Sequence, residues 1–373
     1  MSDSRPEILI AGSGPGALEA TLALSGSQHL DAHISLISPQ LEFHYRPNMV
    51  MEPFGVSETA KFLVAEVIRH RNVTQWDGTL DRVDPAAGRA FSPEDDEFRF
   101  DALIVATGTE SHVGLAVPAI TFGTPGSLGQ LTEIVHEIDH GNVRSVTFVA
   151  PTGHTWWLPL YEFALMSADR AERQGGQQIS VSIVTPESAP LAIFGPENSA
   201  TVAKLCAEFG VNLHLGMSVL SYDGTNAHLS DGSEVATDRL FAMPRLTGRA
   251  PAGVPTDPEG FVPVDDLQRV VGTTNVFGVG DVTNFRVKQG GLASAQADLA
   301  VAAIEHQFGT GPAPTPSTHE IEALLLTADR RLAMRARIGP ESSTSIEIEQ
   351  PTGPVQKIHS RLLADRLRAI SPL

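Results

Sequence analysis

The chain has 373 residues, 42% hydrophobic and 19% charged, with a formal net charge of −18 at pH 7. That length allows two to three domains with an ample core, and the acid excess argues against a nucleic-acid partner, whose phosphates need a basic surface. No apolar run approaches the roughly 18–20 residues of a membrane span, and no charged segment leads into a long apolar stretch as in a secretory leader, so the expected location is cytoplasmic.

Ile8, Leu9 and Ile10 form a short apolar run suited to a strand buried on both faces of a parallel sheet. It ends in Gly12-Ser13-Gly14-Pro15-Gly16-Ala17. Gly12 allows the tight turn, Gly14 lets backbone approach a pyrophosphate, and Ala17 permits close helix–strand packing; Gly16 is additional. Ala17–Leu24 reads as a helix whose N-terminal amides suit a phosphate anion. The next strand, His33–Ile37, follows about 20 residues later, as a βαβ unit requires. Ser38-Pro39 stand where an Asp or Glu usually binds ribose hydroxyls, with Glu42 the nearest acid; a serine hydroxyl binds them more weakly.

Val73–Phe100 reads as short strands with polar turns, and Asp101–Gly108 as a buried strand with a tight glycine end. A weak repeat of residues 7–37 follows: strand Ser145–Ala150, helix Leu158–Gln174, strand Ile179–Thr185. The loop between, residues 151–162, keeps only Gly153 of the expected glycines. Trp156, Trp157 and Pro159 fill space a pyrophosphate would need, and proline removes a backbone donor. If a dinucleotide does bind, Glu187 after the next strand would favour the ribose diol of NADH over the phosphate of NADPH. Trp156 and Trp157 read as core or as a stacking wall. Cys206 is the single cysteine, which excludes an intrachain disulfide, a Cys-x-x-Cys pair and a thiolate zinc site. Its place in the helical Thr201–Phe209 reads as a small buried hydrophobe rather than a reactive thiol.

Asn275–Asp281 is a second apolar strand ending in glycine, Gly280-Asp281, and it leads through Lys288-Gln289-Gly290-Gly291 into the helical run Leu292–His306. Two such segments more than 250 residues apart point to FAD. Beyond the Pro-rich linker Gly311–Ser317, Glu320–Ile338 and Ser343–Glu349 read as strands. Val355–Ile370 reads as an amphipathic helix with Ile358, Leu362, Leu363, Leu367 and Ile370 on one face. That face would pack on the body or on a second subunit, giving a homodimer. Lys357, Arg361, Arg366 and Arg368 raise a surface membrane helix as the sharper reading, but the segment has no Trp or Phe, so membrane contact is not expected.

The alternation of strand and helix gives an α/β fold: two Rossmann-like (FAD/NAD(P)-binding) domains plus a small α+β C-terminal module. The expected boundaries are 1–112 with 244–312 for a discontinuous FAD-binding domain, 113–243 for an NAD(P)-binding-like domain, and 313–373 for a C-terminal interface module.

Six segments in order, Gly12–Ala17, Phe43–Pro47, Ala106–Gly108, Phe261–Asp265, Val276–Asp281 and Lys288–Ala297, carry a resemblance to the FAD-dependent pyridine nucleotide-disulfide oxidoreductase superfamily. The branch it resembles contains sulfide:quinone oxidoreductases and type II NADH dehydrogenases. The resemblance implies that Gly12, Gly14, Gly16 and Ala17 hold the FAD pyrophosphate and that Ser38 takes the adenosine-ribose position. It implies Arg46 and Pro47 along the cofactor, Thr79 and Leu80 past the adenine, and Ala106, Thr107 and Gly108 as the mid-chain flavin turn. Gly280 and Asp281 would meet the ribityl chain, while Lys288 and Gln289 open the last helix beneath the pyrimidine end of the isoalloxazine. There the helix dipole and Lys288 would favour negative charge on the flavin. Glu162 aligns with a glutamate that in related enzymes points to the flavin face, where it could position a nicotinamide or relay a proton; a helix-surface carboxylate is the plainer alternative. Gly153, His154 and Tyr161 are weaker candidates near that face, for NAD or for substrate.

These expectations define an FAD-dependent oxidoreductase taking electrons from a reduced donor, with NADH one option, to a small acceptor such as a quinone. Sulfide oxidation or disulfide reduction by the family route needs more than one cysteine, so both are rejected. The alternatives are a biosynthetic flavin oxidase or dehydrogenase acting on an apolar organic substrate, for which the Trp-Trp-Leu-Pro segment suits an apolar ligand, and a flavin-binding sensor of low turnover.

Overall fold

The structure, a computed structural model, describes residues 5–371 apart from 70, 116, 174–178, 317–318, 328–329, 339–342 and 350–356. The helices in chain order are α1 (Pro15–Ser25), α2 (Val64–Val67), α3 (Ser127–Asp139), α4 (Leu158–Arg173), α5 (Pro196–Glu208), α6 (Gly290–Gln307) and α7 (Leu363–Ile370).

Two five-stranded parallel sheets organise the chain. The first runs Val276–Gly278, Ala102–Val105, Glu7–Ala11, His33–Ser38, Val73–Asp77. Its central strands are apolar on both faces because helices cover one side and a short antiparallel meander (82–84, 89–91, 97–99) covers the other. The second runs Ile120–Thr121, Arg239–Ala242, Ser145–Val149, Ser180–Thr185, Val211–Leu215. The chain crosses between the two sheets through an antiparallel pair, Thr109–His112 with Arg245–Gly248. The expected βαβ repeat is therefore present in both halves.

Three antiparallel strands follow α6: His319–Leu326, Arg331–Ile338 and Ser343–Glu349. Buried Ile321, Leu325, Leu332 and Met334 join one core cluster with α4, α5 and the short 3-10 helix Arg46–Phe54. The C-terminal helix departs from expectation. It begins at Leu363; residues 357–360 belong to no helix or strand and 355–356 lie outside the described residues, as do Gln174 and Ser317 at the ends of other expected segments. This irregular piece runs against the start of α6, where a Cβ on Gly290 would stand 3.1 Å from Ile358 and one on Gly291 would stand 3.3 Å from the His359 carbonyl.

Helix α7 packs on the body. Ile358, Leu363 and Leu367 enter the core beside α1 and α6. Glu19 of α1, fully buried, accepts from the Leu362 and Leu363 N–H groups at 2.8 and 2.7 Å, capping α7 from another helix. Arg361 pairs with Asp298 at 2.8 Å, and Arg366 donates to the Val67 and Glu66 carbonyls.

Candidate functional site

Three loops gather at the carboxyl ends of the first sheet's parallel strands, the place where open α/β sheets bind ligands. They are Gly12–Gly16 after Glu7–Ala11, Ala106–Gly108 after Ala102–Val105, and Gly280–Val282 after Val276–Gly278. Gly12 has φ +127°, and a Cβ there would stand 2.3 Å from the Ala106 carbonyl, so only glycine lets these two loops touch. Gly16 allows α1 to cross α6, since a Cβ there would lie 3.1 Å from Val279 and 3.2 Å from the Ala293 carbonyl. Ala17 is fully buried.

At Gly14 a Cβ would meet nothing within 4 Å. Gly14 is also the N-cap of α1, with no side chain bonded to the first turn, so amides there remain for an anion. Likewise no side chain caps α6, whose N-cap is Gln289. A glycine cradle with open space at Gly14 and two uncapped helix starts on one sheet edge fit a dinucleotide whose central pyrophosphate meets one helix start and whose electron-accepting ring reaches the other.

Ser38 differs from expectation in its commitments. It is buried, donates to Ser13 Oγ at 2.7 Å and accepts from the Gln40 N–H at 3.1 Å, so its hydroxyl braces the glycine loop. Leu80 is buried in the core beneath the meander, and Thr107 Oγ1 donates to the Arg249 carbonyl at 2.5 Å. The Gly280 N–H donates to Gln296 Oε1 at 2.7 Å, which fixes the turn that presents Asp281.

Charge at the α6 end is concentrated. Burial pushes the Asp281 carboxyl above its ordinary range, while Lys288 and then Arg46 pull it back. Arg46 is exposed, beside Pro47 at the start of the 3-10 helix. Lys288 is 4% exposed and donates to the Thr283 carbonyl at 2.6 Å. Burial lowers its amine to about 8, against the raising effect of Asp281, Asp257 and Glu259. Gln289 Nε2 donates to the Glu322 carbonyl of the C-terminal sheet, and its Oε1 has no partner among the described residues.

Glu162 is not on a helix surface. It is fully buried, and its Oε1 accepts from Lys357 Nζ and from the Leu326 N–H at 2.9 Å. Oε2 has no partner among the described residues. Burial raises the carboxyl and lowers the amine, and each counters the shift of the other. Tyr45 Oη accepts from the Lys357 and Ile358 N–H groups at 2.7 and 2.9 Å, so the segment is clamped from both sides.

The second loop is closed down. The His154 carbonyl accepts from the Leu246 N–H at 2.9 Å. Gly153 has φ +99° and lies over Arg245. Trp156 and Trp157 both pack against the core cluster of the second sheet, Trp156 edge-on to Phe194, which favours the core reading of this pair over a stacking wall. Tyr161 is fully buried and donates to Glu187 Oε2 at 2.8 Å, so it does not share a face with Glu162. Glu187 also accepts from Thr185 at 3.2 Å and from the Leu191 and Ala192 amides, and burial raises it to about 7. Its carboxylate is committed inside the fold, where Tyr161, Thr185 and two amides hold it. Cys206 is fully buried and burial pushes its thiol up to about 12, as the inert reading expects.

Lys357, Tyr45 and Gln296 were not singled out as site residues by sequence reasoning. Tyr45 lies inside the Phe43–Pro47 motif and Gln296 inside Lys288–Ala297, whereas Lys357 lies in none of the six segments.

Residues 161–305 match the pyridine nucleotide-disulphide oxidoreductase family. No curated protein matches the sequence. Among solved structures, the chain is similar to a sulfide:quinone oxidoreductase from the hyperthermophilic bacterium Aquifex aeolicus, with TM-score 0.81 and 20% identity over 92% of this chain and 87% of that one. It is also similar to a ferredoxin reductase from Rhodopseudomonas palustris, with TM-score 0.67 and 17% identity over 89% and 83%. A NAD-dependent persulfide reductase from A. fulgidus matches with TM-score 0.63 and 15% identity, over 88% of this chain and 64% of that one.

Proposed function

We propose that the chain is an FAD-dependent oxidoreductase of the pyridine nucleotide-disulphide oxidoreductase kind, and that it takes electrons from a small organic donor and delivers them to a small acceptor such as a quinone. The family match over residues 161–305 and the likeness to the sulfide:quinone oxidoreductase fold support this reading. The observation that carries the donor assignment is the second loop, where Trp156 and Trp157 pack into the core and Glu187 is spent on Tyr161, Thr185 and two amides. A loop in that state supports a donor other than a dinucleotide. In this reading residues 1–112 with 244–312 form the flavin unit, 113–243 the second unit, and 313–373 the closing module.

FAD when bound supplies the two-electron chemistry. The chain's residues bind, orient and exclude water. The uncapped start of α1 and Gly14 would receive the pyrophosphate. Asp281 would accept from a ribityl hydroxyl. Lys288 and the α6 amides put positive charge where negative charge develops, a preorganised electrostatic effect. Glu162 holds a proton-competent carboxyl with one oxygen free of partners among the described residues, and Lys357 holds a second exchangeable proton against it. Sulfur relay through thiols is excluded from this reading, because Cys206 alone is present and its thiol stays protonated.

A second reading, NADH as the donor, is supported by the retained βαβ unit Ser145–Thr185. Anaerobic mixing of the FAD-loaded protein with NADH and, separately, with a panel of small apolar alcohols and amines distinguishes the two. Each alcohol or amine would lose two electrons and two protons, which a quinone added afterwards takes up. Reduction by a member of that panel and not by NADH supports the first reading; saturable reduction by NADH overturns it in favour of the second.

A further inference from the structure

The chain has four lysines, of which Lys61 and Lys204 are exposed while Lys288 and Lys357 are buried. Burying an ammonium requires compensation. Lys357 has a carboxylate to bond. Lys288 has none in hydrogen-bond contact among the described residues; besides the Thr283 carbonyl, its Nζ stands over the ring of Phe261, 3.8 Å from the centroid. The face of an aromatic ring attracts a cation, and most strongly where water is excluded. Phe261 is fully buried. Its ring also meets the imidazole of His154, centroid to centroid 4.5 Å at 48°. His154 Nδ1 lies 3.0 Å from Glu259 Oε2, and Arg245 lies 3.7 Å from the other oxygen.

We propose that Phe261 is a positioning residue that holds Lys288 as a cation at the head of α6, and that His154, from the loop of the second unit, fixes the ring that does so. If packing were the ring's only task, an aliphatic side chain of similar volume would serve equally. The charged groups around the amine are Asp281, Asp257 and Glu259, which favour the cation, with Arg46 acting on Asp281. Burial opposes them, and the ring face 3.8 Å from Nζ adds to the side of the cation. The link runs from the closed loop through His154 and Phe261 to Lys288, and it gives that loop a hand in the charge beside the flavin. Its functional meaning rests on the reading that Lys288 faces the flavin, but the titration of Lys288 does not.

With so few lysines, the full chain labelled with 13C at lysine Cε gives separable signals, and Lys288→Arg identifies the one in question. The Lys288 midpoint should fall from the parent's by about one unit or more in Phe261→Leu and return in Phe261→Tyr. His154→Ala should lower it by less, and His154→Phe should restore it. Phe261→Met serves if Phe261→Leu does not fold. An unmoved midpoint in the aliphatic variant overturns the proposal. The reduction potential of the FAD-loaded variants is read separately. A midpoint that falls with no change in potential upholds the role of Phe261 and sinks the placement of Lys288 beside the flavin.

Discussion

Lys357 Nζ donates to a carboxylate oxygen of Glu162 although the two stand 195 positions apart in the chain, and both side chains are sealed from solvent at 6% and 0% exposure. This pair ties the segment before α7 to the second turn of α4, beside the start of α6. Removing one partner leaves a buried charge uncompensated, which costs roughly 3–5 kcal/mol. Glu162→Gln and Lys357→Met should each lower stability by that order. The double variant should recover much of the loss. Urea unfolding of the four proteins measures the coupling; additive losses would show that the pair is not an interacting unit.

Glu187 gives stability a pH dependence of predictable sign. Its folded value, about 7, lies above the ordinary 4.5. A raised carboxyl contributes stability that is fully present below the unfolded value and is lost as pH rises through the folded one. Between about pH 4.5 and 7 the loss is at most about 3 kcal/mol. In Glu187→Gln that part of the pH profile should flatten. Denaturant midpoints across pH 5–8 decide this, and a slope equal to the parent's would remove Glu187 as its source.

Gly12 and Gly14 should separate folding from cofactor retention. Alanine at Gly12 would force a Cβ to within 2.3 Å of the Ala106 carbonyl at φ +127°, so the variant should lose stability. At Gly14 the backbone is extended, φ −75°, and the space is open. Gly14→Ala should melt close to the parent as apoprotein yet hold FAD more weakly, because the added methyl occupies the approach to α1. Melting curves with and without FAD test both; equal FAD stabilisation of Gly14→Ala and parent would count against the cradle.

Cys206 should be silent. Its thiol, raised to about 12 and fully buried, should react with an aromatic disulfide reagent only on unfolding. Cys206→Ala should leave flavin reduction unchanged. Loss of reduction in this variant would reopen thiol chemistry.

How much of this was legible in the sequence follows from the range of the interactions involved. The strand–glycine–helix of residues 8–24 and the Gly280-Asp281 turn are local, with period and glycine position both dictated by backbone geometry, and both stand where expected. The length of the last helix was not legible: the apolar spacing of Ile358 and Leu362 is helical, yet Tyr45 takes the Lys357 and Ile358 amides and holds that segment out of the helix. Glu187 sits at the expected strand end, but Tyr161, one turn into α4, reaches it first. Lys357 belongs to no motif, and its partner lies on a helix in the other half of the chain. Long-range pairing of charges leaves no period to read.

The central claim is a flavin enzyme whose second loop does not take a nicotinamide. Stopped-flow mixing of the anaerobic FAD-loaded protein with NADH, followed at the flavin band near about 450 nm, tests it most directly. The expected result is no saturable bleaching with NADH, while a small apolar alcohol or amine reduces the same sample and a quinone reoxidises it. Rapid bleaching that saturates with NADH would contradict it.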